Sequence, residues 1–189
     1  FVLEVMGRQC GYLAVSSAVA SGADACLFLE QGRSAEEILD GLKSVIQQGF
    51  SEERQKKKIL IIKAEGVAFP TPLLVEELQA FVDQEELGIS VRAAVLGHLV
   101  RGGSPSYRDR MIAGRFGVAA VEALYKGHTR VMTAFRPELM EGMGTGDPMV
   151  KLVPFDAVRE ETRRLLDGTS AVTKRRVRMM ETYGGVLAI

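Results

Sequence analysis

The chain has 189 residues, of which 47% are apolar, enough for one globular domain with a sizeable core or for one domain and part of another. Its 24 lysines and arginines balance 24 aspartates and glutamates, so the formal net charge is zero, which argues against a general binder of nucleic acids or membrane surfaces. Cys10 and Cys26 form neither a C-x-x-C pair nor a disulfide framework, which favours a reducing compartment, the cytoplasm. Because the chain starts at Phe1 inside a predicted strand, we expect it to be the C-terminal part of a longer polypeptide.

Five strands are predicted, each from a short run rich in apolar and β-branched residues. The continuous run I-L-I-I in the third of them is typical of a strand that is buried on both faces. In chain order, the predicted strands cover residues 1–5, 25–30, 58–64, 91–96 and 130–134.

Longer amphipathic segments separate these strands and predict helices. Ser34 and Glu37 form a capping-box pattern at the start of the second helix, which is expected to end at Gly49. The predicted helices cover residues 11–21, 34–49, a segment starting at Thr71 or Pro72, and residues 107–126, 155–166 and 173–182. Residues 141–148, rich in glycine and polar side chains, are expected to form a loop.

Strands that alternate with helices predict an α/β fold with a mostly parallel sheet flanked by helices. We expect residues 1–134, with the long helix 107–126, to form one α/β domain. Residues 135–189 are then a C-terminal loop and helices that could pack on the missing part of the polypeptide. In parallel sheets, ligands bind beyond the carboxyl ends of the strands.

Polar residues follow three of the predicted strands directly, in Val5-Met6-Gly7-Arg8, Ala64-Glu65-Gly66 and Leu96-Gly97-His98. We therefore expect these segments to converge at one edge of the sheet. Arg8 beside Gly7 suits an anion, although a surface arginine at a turn fits the spacing equally well. Glu65 could accept hydrogen bonds from sugar hydroxyls or could cap the next helix.

The segment V-L-G-H-L-V-R-G-G-S-P carries the most specific set of candidate residues. His98 and Arg101 share it, and Arg92 lies on the strand just before it, so that two arginines and a histidine could neutralise a phosphate dianion. The alternative is a solvent-facing Arg92 and a histidine that is satisfied in the core. The glycines that follow Arg101 favour the phosphate interpretation because they allow close approach of backbone.

Several motifs are absent from the sequence: the P-loop, the G-x-G-x-x-G fingerprint, the G-x-S-x-G elbow and any His/Cys cluster with metal-ligand spacing. We therefore predict no metal site within this chain. The basic run from Arg54 to Lys58 is of a kind that usually forms a solvated face.

Taken together, the segments E-V-M-G-R-Q-C-G-Y-L, K-A-E-G-V and R-A-A-V-L-G-H-L-V-R-G-G-S-P-S-Y-R-D-R resemble the 6-phosphofructokinase family, in the family's order and approximate spacing. The resemblance runs from Phe1 to about Thr133. It implies the C-terminal portion of the Rossmann-like phosphofructokinase fold. It also implies transfer of the γ-phosphoryl group of ATP to the 1-hydroxyl of fructose 6-phosphate in glycolysis, with Mg²⁺, by a homo-oligomer, expected to be a tetramer.

The resemblance also assigns roles to residues. Met6, Gly7 and Arg8 would contact the sugar phosphate, with Arg8 near the transferring group and thus catalytic. Glu65 would accept sugar hydroxyls. The 6-phosphate would bind to three residues, the last of them from a neighbouring subunit: His98, Arg101 and Arg92.

Bacterial members have an allosteric effector site between subunits, and five residues stand near its expected positions: Gly22, Asp24, Arg54, Lys56 and Lys58. The chain departs from the family at Gln9, where histidine is usual and where the side chain is not expected to be a ligand. The Gly-rich ATP loop and the catalytic aspartate lie upstream in the family, so we do not expect this chain to turn over alone. The alternatives are a pyrophosphate-dependent phosphofructokinase, a non-catalytic sugar-phosphate sensor and a structural α/β domain.

Overall fold

The computed structural model describes residues 1–135 and 142–182. Two sheets and six α-helices make up this part of the chain. The strands are β1 (Val2–Val5), β2 (Ala25–Leu27), β3 (Ile61–Ala64), β4 (Ala93–Val95), β5 (Val131–Phe135), β6 (Met143–Gly144) and β7 (Val150–Pro154). The helices are α1 (Tyr12–Ser21), α2 (Ala35–Phe50), α3 (Thr71–Gln84), α4 (Tyr107–Tyr125), α5 (Phe155–Leu166) and α6 (Ala171–Thr182).

The first sheet has the strand order β2-β3-β1-β4, and every pair in it is parallel. β1 is therefore central and pairs with β3 in the register Val2 to Ile61 and with β4 in the register Val2 to Ala93. This arrangement confirms the predicted α/β fold with a parallel sheet. All of these strands end at the same side of the sheet, here called the carboxyl edge, and begin at the opposite amino edge.

Helices α2 and α3 pack on this sheet through the faces that the sequence pattern predicts. In α2, Ser34 caps the first turn by accepting from the Glu37 N–H at 3.1 Å, and the helix buries Ile38, Leu42 and Ile46. α3 buries Leu74, Leu78 and Phe81, as expected. These apolar side chains belong to one buried cluster together with those of β1–β3 and α1.

The fifth predicted strand forms, as β5, but it does not extend the parallel sheet. β5 pairs antiparallel with β7, with Val131 opposite Pro154 and Phe135 opposite Val150. β6 pairs antiparallel with the other side of β7. Strand β7, whose Val150, Leu152 and Val153 are buried, was not predicted from the sequence. Part of the expected loop 141–148 is thus strand β6, and Glu141 lies outside the described residues.

The backbone forms two compact units. The first unit contains residues 1–102 with the described part of 172–189, and the second contains residues 103–171. The expected boundary near residue 134 differs from this division because α4 packs on β5 and β7 and so belongs to the second unit. Within the described residues, none of the helices has the length and apolar character needed to cross a membrane.

Candidate active site at the carboxyl edge of the parallel sheet

The ends of β1 and β3 are joined by hydrogen bonds just beyond the sheet. The Gly7 N–H donates to the Glu65 carboxylate at 3.2 Å, and the Gly66 N–H donates to the Gly7 carbonyl at 3.2 Å. These bonds bring the predicted residues Met6, Gly7 and Arg8 beside Glu65 in one place. The carboxylate of Glu65 is exposed and is held by backbone, which leaves its remaining lone pairs free to accept from a ligand hydroxyl.

His98 and Arg101 stand on a short 3₁₀ helix, Gly97–Arg101, that follows β4. The Leu96 N–H donates to the Glu4 carbonyl at 2.9 Å, so this helix starts beside the end of β1. Residues three apart in a 3₁₀ helix lie above one another, which places His98 and Arg101 on the same face. Both side chains are exposed, contrary to the alternative of a histidine satisfied in the core.

The carboxyl edge therefore carries two arginines and a histidine. In the part of the chain that the structure describes, the side chains of Arg8, His98 and Arg101 form no ion pair or hydrogen bond with protein groups. Such groups can bind a phosphate without giving up an existing partner. By contrast, the described part of the chain contains no cluster of three or more His, Cys, Asp or Glu residues that could hold a metal ion.

A buried polar cluster of Glu4, Lys63 and Thr71 lies beneath this edge. Lys63, whose side chain is only 1% exposed, donates to Glu4 at 3.1 Å, and the Thr71 hydroxyl also donates to Glu4. Burial of Glu4 acts to raise its pKa, but the hydrogen bonds from Thr71 and Lys63 and the Lys63 charge outweigh burial and lower this pKa. The cluster ties β1, β3 and α3 together next to Arg8 and Glu65.

Arg92 lies just before β4, at the opposite end of that strand from His98 and Arg101. Its carbonyl accepts from the Val2 N–H at 2.8 Å, which places it at the amino edge, where β1 and β4 begin. The segment from Arg92 to Leu96, four steps along the chain, spans roughly 13 Å when extended. Within one chain, therefore, the structure does not bring Arg92 together with His98 and Arg101.

The five residues expected near an effector site also lie toward the amino edge. Gly22 ends α1 in a left-handed conformation, and the Asp24 carboxylate accepts from the Leu60 N–H at 2.8 Å and pairs with Lys56. Lys58 lines a cavity of about 420 Å³ together with Arg92 and Lys57. Arg54, Lys56 and Lys58 are exposed, so the basic run is solvated in this chain.

Comparison with known proteins gives the family. The phosphofructokinase family model matches residues 1–124 of the chain. The chain belongs to the phosphofructokinase family. It is 36% identical over 165 residues to the ATP-dependent 6-phosphofructokinase of Wolinella succinogenes, an alignment that covers 86% of this chain and 48% of that enzyme.

One further relative agrees with this assignment, and one solved structure shares the fold. The platelet-type ATP-dependent 6-phosphofructokinase of Oryctolagus cuniculus is 45% identical over 128 residues, which are 66% of this chain and 15% of that enzyme. The phosphofructokinase structure from Saccharomyces cerevisiae matches with a TM-score of 0.69 at 23% identity, over 98% of this chain and 25% of that chain. The chain thus spans about half the length, or less, of the curated relatives that it matches.

The sequence motifs predicted the residues at the carboxyl edge but not the buried residues that support them. Sequence reasoning missed the Glu4–Lys63 pair, although charged side chains at the centre of two apolar strands were a visible signal. It also missed Glu30 and Arg176, which pair across 146 positions of sequence. No local pattern connects residues that are so far apart.

Proposed function

We propose that the carboxyl edge binds fructose 6-phosphate and that the chain is the sugar-phosphate-binding part of an ATP-dependent 6-phosphofructokinase. The observation that carries the proposal is the convergence of Arg8, His98 and Arg101, without protein partners among the described residues, on one edge with Glu65. Membership of the phosphofructokinase family supports the choice of sugar phosphate. The proposed reaction transfers the γ-phosphoryl group of ATP to the 1-hydroxyl of the sugar.

We propose a distinct role for each group. His98 and Arg101, on one face of the 3₁₀ helix, bind the 6-phosphate through charge-assisted hydrogen bonds. Glu65 accepts from sugar hydroxyls, and the backbone of Met6 and Gly7 lies against the sugar. Arg8 stabilises the charge that spreads over the transferring phosphoryl group, since phosphoryl transfer depends mainly on positioning and on charge stabilisation.

The proposal extends to a homo-oligomer. Arg92 lies at the amino edge, away from His98 and Arg101. We propose that it binds the 6-phosphate of a neighbouring copy, the role that the family resemblance implies. A tetramer is the proposed assembly. The amino-edge residues Gly22, Asp24, Arg54, Lys56 and Lys58 are proposed to bind an allosteric effector, which would have to open the ion pair between Asp24 and Lys56.

Mg²⁺ and ATP belong to the proposed reaction, but the described residues do not fit a metal site, so we derive no step through Mg²⁺ in this chain. A cytoplasmic location is proposed as well. It is supported by the free thiols of Cys10 and Cys26, which suit a reducing compartment.

Calorimetric titration of the chain with fructose 6-phosphate and with fructose tests the proposal. The phosphorylated sugar is expected to bind saturably and fructose far more weakly, because most of the binding free energy at the carboxyl edge comes from contacts with the phosphate. A double variant, His98→Asn with Arg101→Met, should abolish the difference between the two ligands. Equal binding of both sugars, or a difference that survives in the double variant, would overturn the assignment.

A further inference from the structure

A buried ion pair ties the C-terminal helix α6 to the rest of the first unit. The Arg176 guanidinium contacts the carboxylate of Glu30, and the two side chains are only 10% and 3% exposed. The same guanidinium lies 3.4 Å from the Cys10 sulfur and 5.9 Å from the centre of the Tyr12 ring. Arg176 therefore sits against the start of α1 and not in solvent.

Glu30 links Arg176 to the backbone of Gly11. The Gly11 N–H donates to both oxygens of the Glu30 carboxylate, at 2.9 and 3.0 Å. Gly11 also packs tightly on Phe28, since a Cβ at Gly11 would stand 2.4 Å from the Phe28 Cβ. The position of Gly11 is thus fixed on one side by a charged acceptor and on the other by an aromatic side chain.

Gly11 ends the Arg8 loop, defined as residues 7–11. The start of this loop is fixed by the hydrogen bonds of Gly7 with Glu65 and Gly66. Arg8 is exposed and stands between the two attachments. The second attachment depends on a carboxylate that is buried, and a buried carboxylate needs a cation or further donors to remain charged there.

We propose that Arg176 is a positioning residue: through Glu30 and Gly11, it holds the Arg8 loop in the conformation that receives the sugar phosphate. This inference rests on the proposed function of the carboxyl edge. It gives α6 a part in the site, although none of the residues assigned to the ligand lies on α6. The helix itself is anchored independently, because Val177 and Met180 pack against the core of the first unit.

The main test compares Arg176→Met with Arg175→Met, which removes the same charge from the exposed neighbouring position on α6. Amide exchange followed by NMR reports on Gly11, with the amides of β3 as the reference for global opening. We expect the Gly11 amide to exchange at least about tenfold faster in Arg176→Met, while β3 is unchanged. Fructose 6-phosphate should bind about fivefold more weakly to this variant and normally to Arg175→Met.

Two further variants separate positioning from general loss of structure. Arg176→Lys keeps the cation and should recover most of the protection of Gly11 and most of the affinity. Glu30→Gln combined with Arg176→Met removes the unpaired buried charge but retains an acceptor oxygen for Gly11. This double variant should therefore protect Gly11 better than Arg176→Met alone.

The outcomes distinguish this inference from the function on which it rests. Unchanged exchange at Gly11 in Arg176→Met would overturn the positioning role, whatever the ligand. Faster exchange at Gly11 with unaltered affinity would overturn the link between Arg176 and the ligand site. If the unmodified chain does not bind fructose 6-phosphate, the proposed function fails, and Gly11 exchange alone then decides whether Arg176 fixes the loop.

Discussion

The backbone of Arg8 lies directly against Gly66. A Cβ on Gly66 would stand 2.0 Å from the Arg8 carbonyl oxygen and 2.8 Å from that of Gly7, distances at which one backbone must move. Only glycine therefore allows the end of β3 to approach the Arg8 loop so closely. This contact is what places Arg8 beside Glu65.

Replacing Gly66 by alanine is expected to displace the Arg8 loop. Fructose 6-phosphate affinity should fall by about tenfold or more, and the free energy of unfolding should fall by about 2 kcal/mol. Calorimetric titration and urea unfolding measure the two quantities. Gly117→Ala is the control, because its Cβ meets open space in α4 and alanine favours a helix. Gly66→Ala with the affinity of the unmodified chain would show that the close approach is not needed.

Arg101→Ala is expected to weaken fructose 6-phosphate binding by about 2 kcal/mol, or roughly 30-fold, because it removes a charge-assisted hydrogen bond to the phosphate. Titration calorimetry measures the change. Arg159→Ala removes an exposed arginine from α5 and should leave the affinity unchanged. An equal loss in both variants would mean that only the overall charge of the chain matters.

Arg8→Ala should lower turnover more than affinity in the full-length protein that contains this sequence. A group that stabilises transition-state charge is worth about a hundredfold in kcat, whereas the KM for fructose 6-phosphate is expected to stay within about threefold. Steady-state kinetics separate the two constants. Gln9→Ala, at the next exposed position, should behave as the unmodified enzyme does. A rise in KM with constant kcat would make Arg8 a binding residue only.

Glu4 should make the stability of the fold sensitive to acid. Its pKa is lowered in the folded chain, so it contributes stability above its ordinary value of 4.5 and loses that contribution as the pH falls through the folded value. Glu4→Gln leaves Lys63 buried without its charged partner and should cost about 3 kcal/mol near neutral pH.

Urea unfolding at about pH 7 and about pH 4 tests the role of Glu4. The destabilisation by Glu4→Gln should shrink at the lower pH, because the unmodified chain is then losing the same interaction. Glu76→Gln, at an exposed position of α3, provides the matched control. A cost that is equal at both pH values would show that the Glu4 charge does not stabilise the fold.

The parallel sheet could be predicted because strand pattern, capping residues and helix length all agree. Ser34 and Glu37 form the capping box that their spacing indicates, and the run I-L-I-I leads directly into the buried strand β3, which shares its last two residues. The position of β5 could not be predicted in the same way. Its pattern is that of a strand, but nothing local states that its partner is β7, which was itself missed.

The candidate site was predictable to the extent that it depends on strand ends. Met6, Gly7, Arg8, Glu65, His98 and Arg101 come together because parallel strands end at one edge. Grouping Arg92 with His98 and Arg101 on spacing alone neglected the length of β4, which separates the two ends. The contact between Glu30 and Arg176 depends on tertiary packing of α6, which no local pattern reveals.

The most direct test of the central claim is NMR titration of the ¹⁵N-labelled chain with fructose 6-phosphate. Saturable shifts are expected at the amides of residues 6–8, 65–66 and 97–101, with one affinity for all three segments. The binding of fructose 6-phosphate at the carboxyl edge would be contradicted if the amides of these three segments did not shift, or if saturable shifts occurred only at the amino-edge residues 54–58.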